Sequence, residues 1–119
     1  MSFSYVYVIA FRGDEFLMVR HARRAWEMPG GKVNSGESPG EAAVREFHEE
    51  TGYDVGSLTI LETEDKGLVY KGIVGKKLAI VPDAREIAEV AFFRELPDKL
   101  SFPIVEYQRM LDSARRTRV

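Results

Sequence analysis

Glu46, Glu49 and Glu50 stand at i, i+3 and i+4 directly after Arg45. On a helix this spacing gathers three carboxylates along one stripe, where like charges repel. A hard divalent cation among their oxygens would relieve that repulsion, and an all-oxygen donor set suits Mg²⁺ or Mn²⁺. Taken alone, the same residues also read as a solvated acidic helix face. Arg45 lies one helical turn before Glu49, close enough either to hold that carboxylate in place or to form an ordinary surface ion pair.

These residues need a helix to carry them, and its limits are written locally. Ser38 is placed as N-cap, Pro39 as first helical residue, and Glu41 closes a capping box. Gly52 supplies the left-handed stop. Ala43, Val44 and Phe47 form an apolar stripe for the core, which puts Glu46, Glu49 and Glu50 on the other side or on its border. Upstream, Phe3 to Phe11 and Phe16 to Arg20 alternate as strands around a Gly13-Asp14 turn, giving an N-terminal hairpin. His21 to Ala25 connects them to a short strand at Trp26-Glu27-Met28, stopped by Pro29-Gly30-Gly31, and Val33 to Glu37 is a loop. Downstream, Leu58 to Leu61, Leu68 to Val74, Lys77 to Val81 and Val90 to Phe93 read as strands. A last helix starts near Phe102-Pro103, with Ile104, Tyr107 or Gln108, and Leu111 towards the core. Periodicity alone gives a single domain, residues 1–119, of the α/β or α+β class.

Composition narrows the function classes. With 119 residues, 45% hydrophobic and 30% charged, the chain suits one globular core. The absence of cysteine excludes disulfides, zinc-thiolate sites and thiol catalysis. There is no basic segment leading into an apolar run at the N-terminus and no apolar stretch of roughly 20 residues, so the expectation is a cytoplasmic protein without a membrane span. A formal net charge of -2 argues against nucleic acid as a general partner. Arg115, Arg116 and Arg118 form a basic tail that reads as a solvated terminus.

From Gly31 the chain runs through Glu37 to Arg45-Glu46-Phe47-His48-Glu49-Glu50-Thr51-Gly52-Tyr53. Residues 31–53 therefore fit G-x5-E-x7-R-E-U-x-E-E-x-G-U, where U is a bulky apolar residue, and the chain resembles the Nudix hydrolases. The resemblance implies an α/β/α sandwich with a mixed β-sheet and a loop-helix catalytic motif. It implies Mg²⁺- or Mn²⁺-dependent cleavage of a pyrophosphate linked to a nucleoside. Glu46, Glu49 and Glu50 match the metal-binding glutamates, with Glu46 either a ligand or the base that deprotonates water. The carbonyl of Gly30 matches a further ligand. Arg45 matches the arginine that orients Glu49, and Glu37 anchors the loop onto the helix.

Outside this box, Glu86 and Glu89 precede Phe92-Phe93 in a segment similar to E-I-x-E-V-x-W-F, which makes Glu86 a candidate base and Glu89 a weaker one. Lys32 could reach a phosphate, and Trp26 could stack on a base or fill the core. His21 and His48 read as loop or surface residues. Trp26 to Lys32 and Phe93 to Pro97 resemble the mutator-type branch, which implies a nucleoside triphosphate cleaved to monophosphate and pyrophosphate. The asparagine expected near the final helix is not evident around Ser101-Phe102-Pro103, which weakens an oxidised-guanine assignment. Tyr70 lies near the position of a tyrosine in dinucleoside polyphosphate hydrolases, the alternative substrate class, and a non-catalytic nucleotide-binding module is a third reading. The expected partner is a small nucleotide, and a homodimer is left open.

Overall fold

The computed structural model describes residues 3–64 and 66–117. The strands are β1 (Tyr5–Arg12), β2 (Glu15–His21), β3 (Trp26–Glu27), β4 (Gly30–Lys32), β5 (Tyr53–Glu64), β6 (Gly67–Lys77) and β7 (Ile87–Phe93). The helices are α1 (Pro39–Thr51) and α2 (Ile104–Arg116). Arg118 of the basic tail lies outside the described residues, while Arg115 and Arg116 close α2.

The strands make one mixed sheet in the order β3-β2-β1-β6-β5, with β4 also on β1 and β7 also on β2. β1 and β6 are parallel from Tyr5↔Gly67 to Phe11↔Ile73, and the other pairings are antiparallel. The alternation in β1 explains the layers, because successive side chains of a strand point to opposite faces. Val6, Val8 and Ala10 pack with Ala42, Ala43 and Phe47 of α1. Ile9 packs with Tyr107, Met110, Leu111 and Ala114 of α2. A sheet with one helix on each face is the expected sandwich.

α1 begins and ends as its sequence dictates. The Ser38 hydroxyl accepts from the Glu41 N–H at 3.1 Å, the Glu41 carboxylate accepts from the Ser38 N–H at 2.9 Å, and Gly52 caps the end at φ 77°.

Three expectations are corrected. Lys77 to Val81 is not a strand: β6 ends at Lys77, Leu78 donates its N–H to the Gly52 carbonyl at 2.8 Å, and Val81 is 87% exposed. The physical reason is topological, since β6 already has β1 and β5 on its two sides and the chain must leave the sheet to reach β2 as β7. Gly30-Gly31 does not simply stop a strand, because Gly30–Lys32 pairs with β1 as β4. Ile104 faces outward, and the buried stripe of α2 is Tyr107, Met110, Leu111 and Ala114. Among the described residues no helix is long and apolar enough to cross a membrane.

Candidate active site

The box glutamates divide by burial once α1 is packed. Glu50 is buried, Glu46 is half-buried and Glu49 is exposed, because the stripe they share runs along the border between core and solvent. Glu50 Oε1 accepts from the Gly30 N–H at 2.9 Å, which ties the helix to β4. Burial pushes the Glu50 carboxyl up to about 8, with the neighbouring Glu46, Glu27 and Glu86 charges acting in the same direction against the Gly30 hydrogen bond. Burial also raises Glu46, against the opposing pull of Arg45.

Arg45 is the hub of this stripe. Its Nε and Nη2 donate to Glu37 at 2.7 and 2.9 Å, Nη2 also donates to the Lys32 carbonyl at 2.9 Å, and Nη1 donates to Glu46 and Glu49 at 2.8 Å each. Hydrogen bonds from Arg45 and from the Asn34 N–H hold the Glu37 carboxyl down at about 2. Glu37 thus fastens the loop to the helix, as expected.

The glycines before the helix are required by close approach. A Cβ at Gly31 would strike the Glu46 carboxylate, and one at Gly30 would strike the Val6 carbonyl and the Tyr7 backbone and ring. Either collision would push β4 away from the sheet or from α1.

Glu46, Glu49 and Glu50 line a cavity of about 320 Å³ together with Ile80, Val81, Asp83, Glu86 and Ile87. Glu86 arrives from the irregular segment before β7. A turn in which the Asp83 carbonyl accepts from Glu86 and Ile87 holds it, as does a 2.8 Å hydrogen bond from the Ala22 N–H to the Glu86 carbonyl. Among the described residues no three His, Asp or Glu side chains are disposed as a ready-made metal cluster. The geometry gives the reason: Arg45 draws Glu46 and Glu49 onto itself, and Gly30 holds Glu50. The donor chemistry of the cavity nevertheless fits a hard cation, since its polar lining is carboxylate throughout.

Other sequence candidates fall elsewhere. Glu89 lies on β7 and its carboxylate accepts from Arg20 at 3.2 Å, outside this cavity. Lys32 is exposed at the end of β4. Tyr70 is 7% exposed and packed in the core beneath α1, where burial raises its hydroxyl, so it is not at the carboxylate cavity. Trp26 is half-buried against the core cluster under α2, edge-on to Phe93 with ring centroids 4.8 Å apart. His48 pairs with Asp54 at 2.8 Å at the end of α1.

Two features escaped the sequence reading. His21 is not a simple loop residue: its Nε2 lies 3.5 Å from both Glu27 and Glu50, and burial lowers its basicity. A second cavity of about 210 Å³ lies on the other face, lined by Tyr5, Tyr7, Glu27, Met28, Phe102, Glu106, Tyr107 and Met110. Tyr5 and Tyr7 at i, i+2 on the α2 side of β1 were the available signal, masked by the apolar residues that continue the same face.

Comparison with known proteins follows the same outline. A NUDIX domain model matches residues 1–111. A Bacillus subtilis protein, YtkD, provisionally named an 8-oxo-dGTP diphosphatase, is 37% identical over 111 residues, covering 82% of this chain and 66% of the relative. An RNA pyrophosphohydrolase of Tolumonas auensis is 37% identical over 65 residues, covering 54% of this chain and 37% of the relative. The chain thus spans no more than about two thirds of the length of these relatives. A crystal structure of a mutant of the Bacillus subtilis pyrophosphohydrolase BsRppH superposes with a TM-score of 0.78 at 30% identity, covering 97% of this chain and 82% of that one.

Proposed function

The chain belongs to the NUDIX domain family, and we propose that residues 1–119, as one domain, hydrolyse a pyrophosphate bond of a nucleoside triphosphate, releasing the monophosphate and pyrophosphate. The observation that carries this reading is the cavity where Glu46, Glu49 and Glu50 of α1 meet Glu86 from the segment before β7. Five carboxylates in one recess, Asp83 among them, repel a polyphosphate unless cations intervene, so the arrangement makes chemical sense as a cation-loaded site. Glu46, Glu49, Glu50 and the Gly30 carbonyl would hold Mg²⁺ or Mn²⁺, which supplies the positive charge that offsets the phosphate oxygens and the leaving group.

The chain's own groups then have distinct tasks. Arg45 fixes Glu46 and Glu49 relative to the loop, through its hydrogen bonds to Glu37 and the Lys32 carbonyl. Glu86, not engaged by Arg45, takes a proton from the attacking water as its oxygen bonds to phosphorus and the bond to the pyrophosphate oxygen breaks. Glu46 is the competing base, and its upward shift by burial suits a group that accepts a proton. Lys32, exposed at the end of β4, is our candidate for contact with a phosphate oxygen of the substrate. The tyrosine-lined cavity on the α2 face, with its aromatic and apolar walls, suits a flat ring and is our candidate for the nucleobase.

A second reading has support in the likeness to RNA pyrophosphohydrolases: a triphosphate on an RNA 5′ end offers the same bond to the same carboxylates. Nucleoside triphosphates, dinucleoside polyphosphates and 5′-triphosphorylated RNA should be incubated with Mg²⁺, with and without chelator, and the products identified. The expected result is monophosphate plus pyrophosphate from a nucleoside triphosphate, lost with chelator. Glu49→Gln should lower turnover by orders of magnitude at nearly unchanged stability, since an exposed ion pair contributes about 0.5 kcal/mol. Full turnover in excess chelator, or a Glu49→Gln variant as active as the parent, overturns the assignment.

A further inference from the structure

Glu50 is the box glutamate that the fold takes furthest from water, and its two oxygens meet donors from two different segments. Oε1 accepts from the Gly30 N–H at 2.9 Å, while Oε2 lies 3.5 Å from the Nε2 of His21. The same Nε2 lies 3.5 Å from Glu27 Oε1, so the ring stands midway between two buried carboxylates. Glu27 is a fixed post in this row of contacts, since Arg24 bonds it through both Nε and Nη2.

The backbone aims the ring. β2 and β7 slip in register at this point: Arg20 is opposite Glu89 but His21 is opposite Ile87, which leaves Ala88 as an extra residue. A bulge of this kind bends the pair and re-aims a neighbouring side chain. The His21 N–H donates to the Ala25 carbonyl at 3.2 Å and the His21 carbonyl accepts from the Arg24 N–H at 3.2 Å, which closes a tight connection into β3. The next residue, Ala22, donates its N–H to the Glu86 carbonyl at 2.8 Å. The main chain of His21 is thus fixed, and its imidazole is turned towards Glu50.

A carboxylate oxygen has two lone pairs, so one can accept a hydrogen bond while the other faces a cation. Hydrogen bonds to a ligating group hold it in the geometry that binds. Arg45 does this for Glu46 and Glu49, but among the described residues it bonds neither oxygen of Glu50. We propose that His21 is a positioning residue for cation binding: its imidazole, braced on Glu27, holds the second oxygen of Glu50 in the rotamer that ligates. The inference rests on the cation-loaded reading above and goes beyond it in naming a residue outside the box that sets how tightly Glu50 binds.

The test is the Kd for Mg²⁺ without substrate, from isothermal titration calorimetry and from the rise in melting temperature with Mg²⁺, in the parent, His21→Leu, His21→Asn and His21→Gln. Gln carries an amide N–H near the place of Nε2, Asn holds the same amide one bond further back, and Leu has no donor. His21→Leu and His21→Asn should weaken Mg²⁺ binding about tenfold or more, the size seen for partners of metal ligands, while His21→Gln should stay within about threefold of the parent. A residue that only packs would change the melting temperature without metal and leave the Kd for Mg²⁺ alone. At saturating Mg²⁺, kcat in His21→Leu should return to within about threefold of the parent, because excess cation refills the site. Equal affinity in all four proteins, or a loss in His21→Gln as large as in His21→Leu, overturns the proposal. So does a kcat that stays low at saturating Mg²⁺ while the Kd for Mg²⁺ is unchanged, which would give His21 a contact with substrate instead. The two readings fail differently: no Mg²⁺ binding by the parent sinks the cation site and this proposal together, whereas binding by the parent that His21→Leu matches sinks this proposal alone.

Discussion

Arg45 touches Glu37, Lys32, Glu46 and Glu49 at once, while Glu86 reaches the same cavity free of that clamp. This separates the two candidate bases by experiment. If Glu86 moves the proton, Glu86→Gln should lower kcat by 100-fold or so while leaving Mg²⁺ affinity within a few-fold, since a general base acts in the transition state. If Glu46→Gln abolishes turnover and Glu86→Gln does not, the base is inside the box and the role of the segment before β7 must be given up. A second residue-scale expectation concerns acid. Glu37 has its carboxyl held at about 2, below the ordinary 4.5, by Arg45. A depressed carboxyl stabilises the fold fully above its unfolded value and loses that contribution as pH falls through its folded value. The melting-temperature difference between the parent and Glu37→Gln should therefore be constant above about pH 5, shrink as the pH falls towards 2 and vanish below it. A difference that does not change across that window would place its origin outside the Glu37–Arg45 pair.

At the scale of elements, the end of α1 and the segment that follows β6 are built against each other. Gly52 has φ 77°, and a Cβ there would lie 2.8 Å from the Ile80 carbonyl. Ile80 and Val81 in turn line the carboxylate cavity beside Glu86. Gly52→Ala should cost about 1–2 kcal/mol for the left-handed backbone alone, read by chemical denaturation. It should also displace the segment over the cavity, so kcat should drop more than the loss of folded protein accounts for. Stability loss with unchanged kcat would show that this segment does not set the geometry of the site.

At the scale of the molecule, the site joins elements remote in sequence: α1 supplies the box glutamates, β4 the Gly30 N–H, the end of β2 His21, and the approach to β7 Glu86. A cation bound among them should stabilise the whole fold by mass action, about 2.7 kcal/mol at a hundredfold excess over Kd. Thermal unfolding with increasing Mg²⁺ should show a rise of several degrees that is absent in Glu50→Gln. No rise in the parent would mean that the folded carboxylates do not form a cation site.

The amino-acid sequence by itself determined what depends on contacts within a helical turn or along one strand. Ser38, Pro39, Glu41 and Gly52 set the limits of α1, the Arg45–Glu49 spacing set their ion pair, and the alternation of β1 set which side chains face each helix. Tertiary structure decided everything that depends on what lies across the sheet. It buried Glu50 and left Glu49 in solvent, put Gly31 against Glu46, and drew His21 between Glu27 and Glu50. It sent Tyr70 into the core and gave Tyr5 and Tyr7 to a cavity. It also took residues 78–81 out of the sheet, because both sides of β6 were already paired. Propensity and spacing encode local partners directly, whereas burial and approach are fixed only when segments far apart in the chain compete for the same neighbours.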